Sequence, residues 1–268
     1  MRVIATIAAA ALLAGASACT RSPAEPKPAP TAAASSAGDP AAVDPRADDL
    51  VRQMSKVLAS AQALALEAEE SWDQISDHFP RTQLTNRRHV AVKRPNRLVG
   101  DATGDAIDRS IWYNGRTLSV LDKAQNTYAT LPMPSTIDEA LDAVFERSGM
   151  VVPVGDFVFA DPYARLMRSV QRGVYLGQRK VNGLTCHHLA FEQETIDWQL
   201  WIDAGDQPVP CKLVIAYKNE AAVPQYAVTF RKWNLKADVP DSLFEFVKPE
   251  GATRMELPAP PPAPKGGK

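Results

Sequence analysis

The sequence predicts an α+β domain in which an antiparallel β-sheet carries a few helices on one face. Short strand-like runs separated by turn signals occur on both sides of a helical middle segment. One pairing register places the apolar residues of the C-terminal runs together on a single face, as is typical of a half-buried antiparallel sheet. The helical segments are apolar along one stripe, so each needs a surface to cover.

The first predicted element is an amphipathic helix over residues 45–63. Its apolar residues recur at helical spacing, and Asp48 and Asp49 lie near its start. In the next stretch, residues 64–72, the helical pattern is lost, and Leu64, Leu66, Ala68, Glu70 and Trp72 alternate with their neighbours as they would in a strand. The residues of this stretch alone leave helix and strand both open.

Five strands are predicted in the following segment, with turn signals between them. Asn114-Gly115 is the strongest of these signals, because a two-residue type I′ turn requires a positive φ at both positions. The predicted strands cover residues 82–94, 97–101, 107–113, 117–121 and 127–131.

Basic residues cluster in and after the first of these strands, at Arg87, Arg88, Lys93, Arg94 and Arg97. Arg87 and Arg88 are neighbours in a predicted strand, so their side chains point to opposite faces of the sheet. Acidic residues also balance the charge elsewhere, so that the formal net charge of the chain is −1. We interpret the cluster as a solvated strand edge rather than a phosphate site, and we expect no nucleic-acid partner.

Two helices are predicted in the middle of the chain. Thr136 and Glu139 fit a capping box at the start of the first helix, and Gly149 ends it. The second helix covers residues 162–170. Its apolar face consists of Tyr163, Leu166, Met167 and Val170. We interpret the two helices as a lid across one face of the sheet.

The C-terminal half predicts a three-stranded meander of residues 184–192, 196–203 and 209–218, and a further strand at 225–235. A tight turn after Glu192 sets the register and places Glu192 opposite Asp197. The facing pairs are then Phe191 and Trp198, Leu189 and Leu200, His187 and Ile202, Leu200 and Leu213, and Trp198 and Ile215. These residues give the meander one apolar face.

The first 18 residues have the pattern of a secretory signal peptide. Arg2 provides a positive start, an apolar run follows, and small residues precede Cys19. A cysteine directly after the cleavage site indicates a lipoprotein signal, so we expect Cys19 to be acylated and to anchor the chain in a membrane. Thr20 stands where aspartate would retain a lipoprotein in the inner membrane, which favours the periplasmic face of the outer membrane. A soluble periplasmic protein is the alternative.

The chain therefore divides into four predicted segments. The signal peptide covers residues 1–18, and a disordered linker rich in Ala and Pro follows the lipidated cysteine over residues 19–43. The folded domain covers residues 44–254, and a Pro-rich tail covers 255–268. Both the linker and the tail have too little apolar periodicity to offset the entropy of ordering them.

Several runs of the sequence carry a resemblance to a known family. They are Trp112-Tyr113-Asn114-Gly115, Thr136-Ile137-Asp138-Glu139-Ala140-Leu141, Ala160-Asp161-Pro162-Tyr163, Cys186-His187-His188-Leu189-Ala190-Phe191, Asp197-Trp198-Gln199-Leu200-Trp201-Ile202 and Pro240-Asp241-Ser242-Leu243-Phe244. Together they resemble a domain-of-unknown-function family of predicted bacterial periplasmic proteins, over about residues 44–254. That family is similar in fold to lipoprotein carriers and receptors of the LolA and LolB type.

The resemblance implies a curved, incomplete antiparallel barrel of the LolA-like type. The N-terminal helix and the inserted helices would cover its concave face and leave an apolar cavity beneath them. It also implies that residues 64–75 form a strand. It brings no catalytic residues with it.

The residues themselves give little support to catalysis or metal binding. Cys186-His187-His188 resembles a metal site, but adjacent strand residues point to opposite faces and His187 and His188 cannot share one ion. The sequence has no Gly-x-Ser-x-Gly elbow, and acidic pairs such as Glu69-Glu70 are interpreted as solvated. We therefore expect no enzyme activity, no cofactor and no metal.

Cys186 and Cys211 invite a disulfide, because export delivers the chain to an oxidising compartment. The predicted register opposes it, since Cys211 lies opposite Ile202 on the apolar face and Cys186 lies opposite Asp203 on the other. The two cysteines are also two strands apart, about 9.5 Å by strand spacing. We expect free thiols, unless a bulge at Pro208 to Pro210 changes the register.

The predicted function is the binding of a hydrophobic ligand, such as an acyl chain, a lipid or a lipoprotein, in an apolar cavity. The candidate lining residues are Phe145, Leu166, Met167, Leu189, Phe191, Trp198, Leu200 and Ile202. Ordinary hydrophobic core is the other interpretation of each of them. The alternative function is an envelope interaction or regulatory module that docks a protein on the sheet, with Trp201 as an anchor. A hydrolase acting on lipids is a third interpretation.

Overall fold

The computed structural model of the protein describes residues 43–148 and 154–256. The predicted signal peptide, Cys19 and the linker up to residue 42 lie outside the described residues, as does the tail from residue 257. Among the described helices, none is both long and apolar enough to cross a bilayer.

Within the described residues, twelve strands form one sheet. They are β1 (Ala63–Gln74), β2 (Thr82–Lys93), β3 (Arg97–Gly104), β4 (Asp108–Tyr113), β5 (Thr117–Asp122), β6 (Thr127–Pro132), β7 (Arg172–Val181), β8 (Leu184–Glu192), β9 (Ile196–Asp203), β10 (Pro210–Tyr217), β11 (Gln225–Asn234) and β12 (Thr253–Arg254). The strand order is β12-β6-β5-β4-β3-β2-β1-β11-β10-β9-β8-β7. Neighbouring strands are antiparallel except β12 and β6, and β12 does not pair with β7, so the sheet is unclosed. The predicted α+β fold is confirmed.

Helix α1 (Pro45–Ser60) starts at Asp44, whose carboxylate accepts a hydrogen bond of 2.8 Å from the amide of Arg46. Proline at the first helical position suits this start, because its fixed φ is already helical. The helix ends three residues before the predicted end. Its apolar stripe, which includes Val51, Met54 and Leu58, is buried in the main hydrophobic core.

Strand β1 confirms the expectation that the resemblance gave for this stretch. Leu64, Leu66 and Ala68 are buried on the face that packs against the helices, which we call the inner face. Glu70 continues the same alternation and is also buried, with its side chain 1% exposed. The interpretation of Glu70 as solvated is therefore wrong, since Arg88 of β2 pairs with it inside the protein.

The basic cluster does not form a strand edge. Strand β2 lies between β1 and β3, well inside the sheet. Lys93 pairs with Asp241 at 2.6 Å, while Arg94 donates hydrogen bonds to the carbonyls of Ala61 and Val158. These contacts, together with the buried Arg88, make most of the cluster structural.

The turn between β4 and β5 differs from the predicted type I′. Gly115 has a φ of +83°, but Asn114 and Arg116 are not among the residues with positive φ. The amide of Asn114 bonds to the carbonyl of Thr117, so Gly115 and Arg116 are the two central residues. A positive φ at the first central position alone is the pattern of a type II′ turn.

The two inserted helices are α2 (Ile137–Ser148) and α3 (Pro162–Leu166), with a 3₁₀ turn between them at Gly155–Phe157. The capping box of α2 forms in part, because Thr136 Oγ1 accepts from the Glu139 amide as predicted and donates to the Glu139 carboxylate at 2.8 Å. Phe157 of the 3₁₀ turn packs edge-on against Phe230 of β11 at 5.4 Å. The segment thus covers the inner face of the sheet.

Helix α3 is shorter than the predicted 162–170. Met167 is its C-cap, and Ser169 has a φ of +64°, which is incompatible with continuing the helix. The helix begins at Asp161, whose carboxylate accepts from the amide of Ala164 at 2.9 Å.

The predicted meander register is confirmed for all five facing apolar pairs and for Glu192 opposite Asp197. Strand β7 was not predicted. It pairs with β8 at the edge of the sheet and is mostly exposed along its second half, so its sequence shows little alternation.

The expectation of free thiols is wrong. Cys186 and Cys211 form a disulfide, with their Cα atoms 6.9 Å apart. Cys186 lies opposite Asp203 as predicted, but the pairing of β10 with β9 shifts after Pro210, which takes the place opposite Ile202. Cys211 is the extra residue of this bulge and joins Cys186 across β9.

Candidate functional site

A row of directly paired residues crosses the inner face near one end of the sheet. The row consists of Phe191, Trp198, Ile215, Tyr226 and Trp72, on strands β8, β9, β10, β11 and β1. Directly paired residues share a face of the sheet, so these side chains line up beside one another. Phe191 and Trp198 stack with ring centroids 4.2 Å apart. We call this set the rim row.

A cavity of about 400 Å³ lies between α3 and strands β9 and β10, with an apolar floor and polar or charged side chains such as Asp156, Arg165 and Glu194 around it. Trp198 and Ile215 of the rim row line it, together with Leu166 of α3 and Leu213 of β10. We call this space the α3 cavity. The indole nitrogen of Trp198 is buried and has no hydrogen-bond partner among the described residues.

Charged groups hold the rim of the α3 cavity in place. Arg165 of α3 contacts Asp142 of α2 at 2.5 Å and Asp156 of the 3₁₀ turn at 3.4 Å. Its guanidinium also lies over the ring of Phe159, 4.2 Å from the centroid. Burial raises the pKa of Asp156, and the positive charge of Arg165 opposes that rise. Arg165 thus connects α2, the 3₁₀ turn and α3, which together form the lid over the inner face.

A second cavity of about 380 Å³, lined by both charged and aromatic residues, lies beyond the other end of the rim row. Both oxygens of the buried Glu70 carboxylate are occupied. Oε1 accepts from Arg88 Nε at 2.6 Å and from the Tyr226 hydroxyl at 2.8 Å, and Oε2 accepts from Arg88 Nη2 at 2.9 Å and from Asn86 Nδ2 at 2.5 Å. Burial, followed by the negative charge of Glu70 and the hydrogen bond to it, raises the pKa of Tyr226 well above its ordinary value. We call this space the Arg88 cavity.

The two cavities are neighbours on the inner face. Ile215 lines the α3 cavity and Tyr226 lines the Arg88 cavity, and these two residues pair directly on adjacent strands. Adjacent strands are about 4.8 Å apart. The rim row therefore connects the two cavities within one strand spacing.

The predicted lining residues fall into three groups. Leu166 and Trp198 line the α3 cavity, and Phe191 stacks on Trp198. Leu189, Leu200 and Ile202 are completely buried in the core, and Met167 packs against that core. Phe145 is 55% exposed on α2 and does not join the others.

The prediction missed part of each cavity. Leu213 and Ile215 were in the predicted register, opposite Leu200 and Trp198, but were not chosen as lining residues. Glu70 follows the alternation of apolar residues in β1, which was the signal that its carboxylate points inward.

The two histidines lie on opposite faces, as expected for adjacent strand residues. His187 Nδ1 and the Tyr175 hydroxyl are 3.0 Å apart, and His188 Nε2 and Gln199 Oε1 are 2.9 Å apart. Burial lowers the pKa of both histidines. Within residues 43–148 and 154–256 no group of three or more potential metal ligands occurs.

Residues 47–257 match the family model described as "Predicted periplasmic protein (DUF2092)". The chain belongs to this family. The match begins two residues into α1 and covers α2, α3 and the twelve strands of the described residues, so the cavities lie in the part that defines a DUF2092 protein. No curated protein matches the chain.

Solved structures with a similar fold come from several bacteria. An uncharacterized conserved protein from Thermus thermophilus has 8% identity and a TM-score of 0.46, with 78% of this chain and 98% of that chain covered. The lipoprotein LppX of Mycobacterium tuberculosis has 14% identity and a TM-score of 0.45, with coverage of 74% and 100%. A LolA superfamily protein from Nitrosomonas europaea has 12% identity and a TM-score of 0.39, with coverage of 75% and 97%.

Proposed function

We propose that this DUF2092 protein binds the hydrophobic part of a lipid or of a lipidated protein in the α3 cavity, without catalysis. The observation that carries the proposal is the apolar floor formed by Trp198, Leu213 and Ile215, which α3 covers and does not fill. A volume of about 400 Å³ falls in the range of small-molecule sites. Burial of an acyl chain contributes about 0.8 kcal/mol per methylene group, so a ten-carbon chain gains several kcal/mol.

The lid is built in a way that suits reversible entry. Arg165 and its two carboxylate partners, Asp142 and Asp156, are each partly exposed, and exposed ion pairs contribute about 1 kcal/mol or less. Helix α3 has five residues, and Leu166 is the buried side chain that it places over the cavity. A small displacement of α3 that keeps the hydrogen bond from Tyr163 to Asp48 of α1 would therefore open the cavity at modest cost.

The proposal includes a location. Acylation of Cys19 would hold the domain at the periplasmic face of the outer membrane, and the residues between Cys19 and Val43 would serve as a tether. If the signal peptide is cleaved without acylation, the same domain works in the soluble periplasm. In both cases the partner is a lipid or a lipidated protein.

Native mass spectrometry of the exported chain tests the proposal. A Cys19→Ser variant removes the acylated thiol, so the protein's own acyl chains cannot occupy the cavity. We expect a stoichiometric adduct of lipid mass that organic extraction removes. A ligand-free mass under gentle conditions, with no binding when fatty acids are added, would contradict the proposal.

A further inference from the structure

The Arg88 cavity has polar groups that the fold does not use. Arg88 gives Nε and one hydrogen of Nη2 to Glu70, while Nη1 has no partner among the described residues. Tyr217 and Trp72 line the same cavity, and no hydrogen bond of the Tyr217 hydroxyl or the Trp72 indole N–H occurs within residues 43–148 and 154–256. Three side chains with a hydrogen-bond donor to offer thus line one space.

The guanidinium of Arg88 is held firmly. Its side chain is 12% exposed and is bound edge-on to a carboxylate that is itself 1% exposed. The Tyr226 hydroxyl and Asn86 occupy the remaining lone pairs of Glu70, so this carboxylate cannot turn away. A buried ion pair costs desolvation energy, and a fully satisfied one fixes the geometry of its members. The Nη1 end of Arg88 is therefore a pre-oriented donor.

The remaining walls are aromatic and acidic. Trp72, Tyr217 and Tyr226 provide ring surface, and Asp73 and Glu220 provide carboxylates. The cavity thus has three carboxylates, including Glu70, and one guanidinium, that of Arg88, while Asp73 pairs with Arg81 at 3.3 Å. This excess of carboxylates disfavours the binding of an anion in the Arg88 cavity. Hydroxyl groups both donate and accept, so they match a mixture of free donors and carboxylates.

We propose that the Arg88 cavity binds a neutral, hydroxyl-bearing head group of the sugar type. This inference rests on the proposed function, because the head group belongs to an amphiphile whose chain lies in the α3 cavity. The direct pairing of Ile215 with Tyr226 brings the two cavities within one strand spacing. The ring carbons of a sugar pack against Trp72 and Tyr217, while its hydroxyls bond to Arg88 and Glu220.

Three soluble probes distinguish binding of the head group from binding of the alkyl chain. Octanol, octyl β-glucoside and octyl β-galactoside are titrated calorimetrically into the exported Cys19→Ser protein, below their micelle concentrations. We expect at least one glycoside to bind about tenfold more tightly than octanol. Tyr217→Phe removes one hydroxyl and should reduce that preference about fivefold, the usual effect of one neutral hydrogen bond.

A double variant tests the arginine without leaving an unpaired buried charge. Glu70→Gln with Arg88→Gln should remove the preference for the glycosides and retain octanol binding. Arg87→Gln is the matched control, because Arg87 is the adjacent residue on the opposite face of β2 and lines neither cavity. It should change neither affinity.

The outcomes decide between the two proposals. Equal binding of octanol and both glycosides overturns the head-group site and leaves the proposed function intact. A glycoside preference that survives both Tyr217→Phe and the double variant also overturns it. Absence of binding by all three probes contradicts the proposed function, and the head-group site with it.

Discussion

Cys186 and Cys211 are joined across a strand that lies between them. Cys186 is on β8 and Cys211 is on β10, and β9 runs between the two strands. Both cysteines are buried. The bulge after Pro210 brings them together, so a local departure from regular pairing is stabilised by a covalent bond.

Removing this disulfide should destabilise the domain. The bond closes a loop with a sequence separation of 25 residues, for which the entropy of the unfolded chain predicts about 3.5 kcal/mol. We expect the Cys186→Ala and Cys211→Ala double variant to lose about this much free energy of unfolding, measured with urea. Wild-type protein, unfolded without reductant, should show no thiol at these positions. A variant as stable as the parent would indicate that the bond does not form.

The alkaline stability should depend on Tyr226. Its pKa is raised in the folded protein by burial and by Glu70, so the unfolded chain releases this proton first. The contribution of protonated Tyr226 to the free energy of unfolding is therefore fully present below about pH 10 and decreases as the pH rises above it. Tyr226→Phe is expected to be less stable than wild type at pH 7, because a hydrogen bond to a carboxylate is lost. That difference should shrink by about 0.8 kcal/mol at pH 10.5. A difference that stays constant with pH would contradict the raised pKa.

Filling the α3 cavity should block ligand binding. Ile215→Trp adds an indole to the cavity floor, and we expect at least a tenfold weaker affinity for octanol or a fatty acid in calorimetric titration. Val214→Trp is the control, because Val214 is the adjacent residue on the opposite face of β10. If both variants weaken binding equally, or if neither does, the ligand does not occupy this cavity.

Arg94 should control the mobility of the lid. Its Nη1 donates to the Val158 carbonyl at 2.8 Å and its Nε donates to the Ala61 carbonyl at 3.2 Å, which connects the 3₁₀ segment to the end of α1. Arg94→Met leaves these carbonyls without their donor, at a cost of about 1 to 3 kcal/mol. We expect faster amide hydrogen exchange around Phe157, measured by mass spectrometry.

The neighbouring residue provides a comparison for that experiment. Lys93 forms an exposed ion pair with Asp241, so Lys93→Met should leave hydrogen exchange of the lid unchanged. Equal exchange rates in the Arg94→Met and Lys93→Met proteins would show that Arg94 does not hold the lid.

The buried pair of Glu70 and Arg88 should respond differently to single and double substitution. Arg88→Gln leaves the Glu70 carboxylate buried without its cation, a change that typically costs about 3 to 5 kcal/mol. The double variant with Glu70→Gln removes both charges and should recover most of this loss in urea unfolding. If the single and double variants are equally unstable, the pair does not act as a unit.

Local patterns predicted the parts of the fold that depend on near neighbours. Alternation and a short turn were enough to place Phe191 opposite Trp198 and Leu200 opposite Leu213, because a one-residue slip would have turned an entire apolar set outward. The contact between Thr136 and Glu139 at the start of α2 could also be predicted from the sequence, because both partners lie within one helical turn.

The features that the sequence did not predict depend on distant partners or on irregular backbone. The burial of Glu70 requires Arg88 and Tyr226, which lie 18 and 156 positions away in the chain. The disulfide requires a bulge, and strict alternation contains no signal for the extra residue. Strand β7 is an edge strand with polar residues along its second half, so its position in the sheet decided its structure more than its own pattern did.

The contact of Val43 and Asp44 with edge strand β7 has a consequence for solubility. Val43 forms a parallel bridge to Gly173, and the amide of Asp44 donates to the Gly173 carbonyl at 2.9 Å, on the outer side of edge strand β7. Further along the same strand, Arg179 and Lys180 place positive charge on the edge. An open sheet edge is a template on which another copy can add a strand and begin to aggregate. Val43 and Asp44 close part of that edge and the charges repel a second copy along the rest, so the β7 edge of the sheet is protected against the addition of further strands.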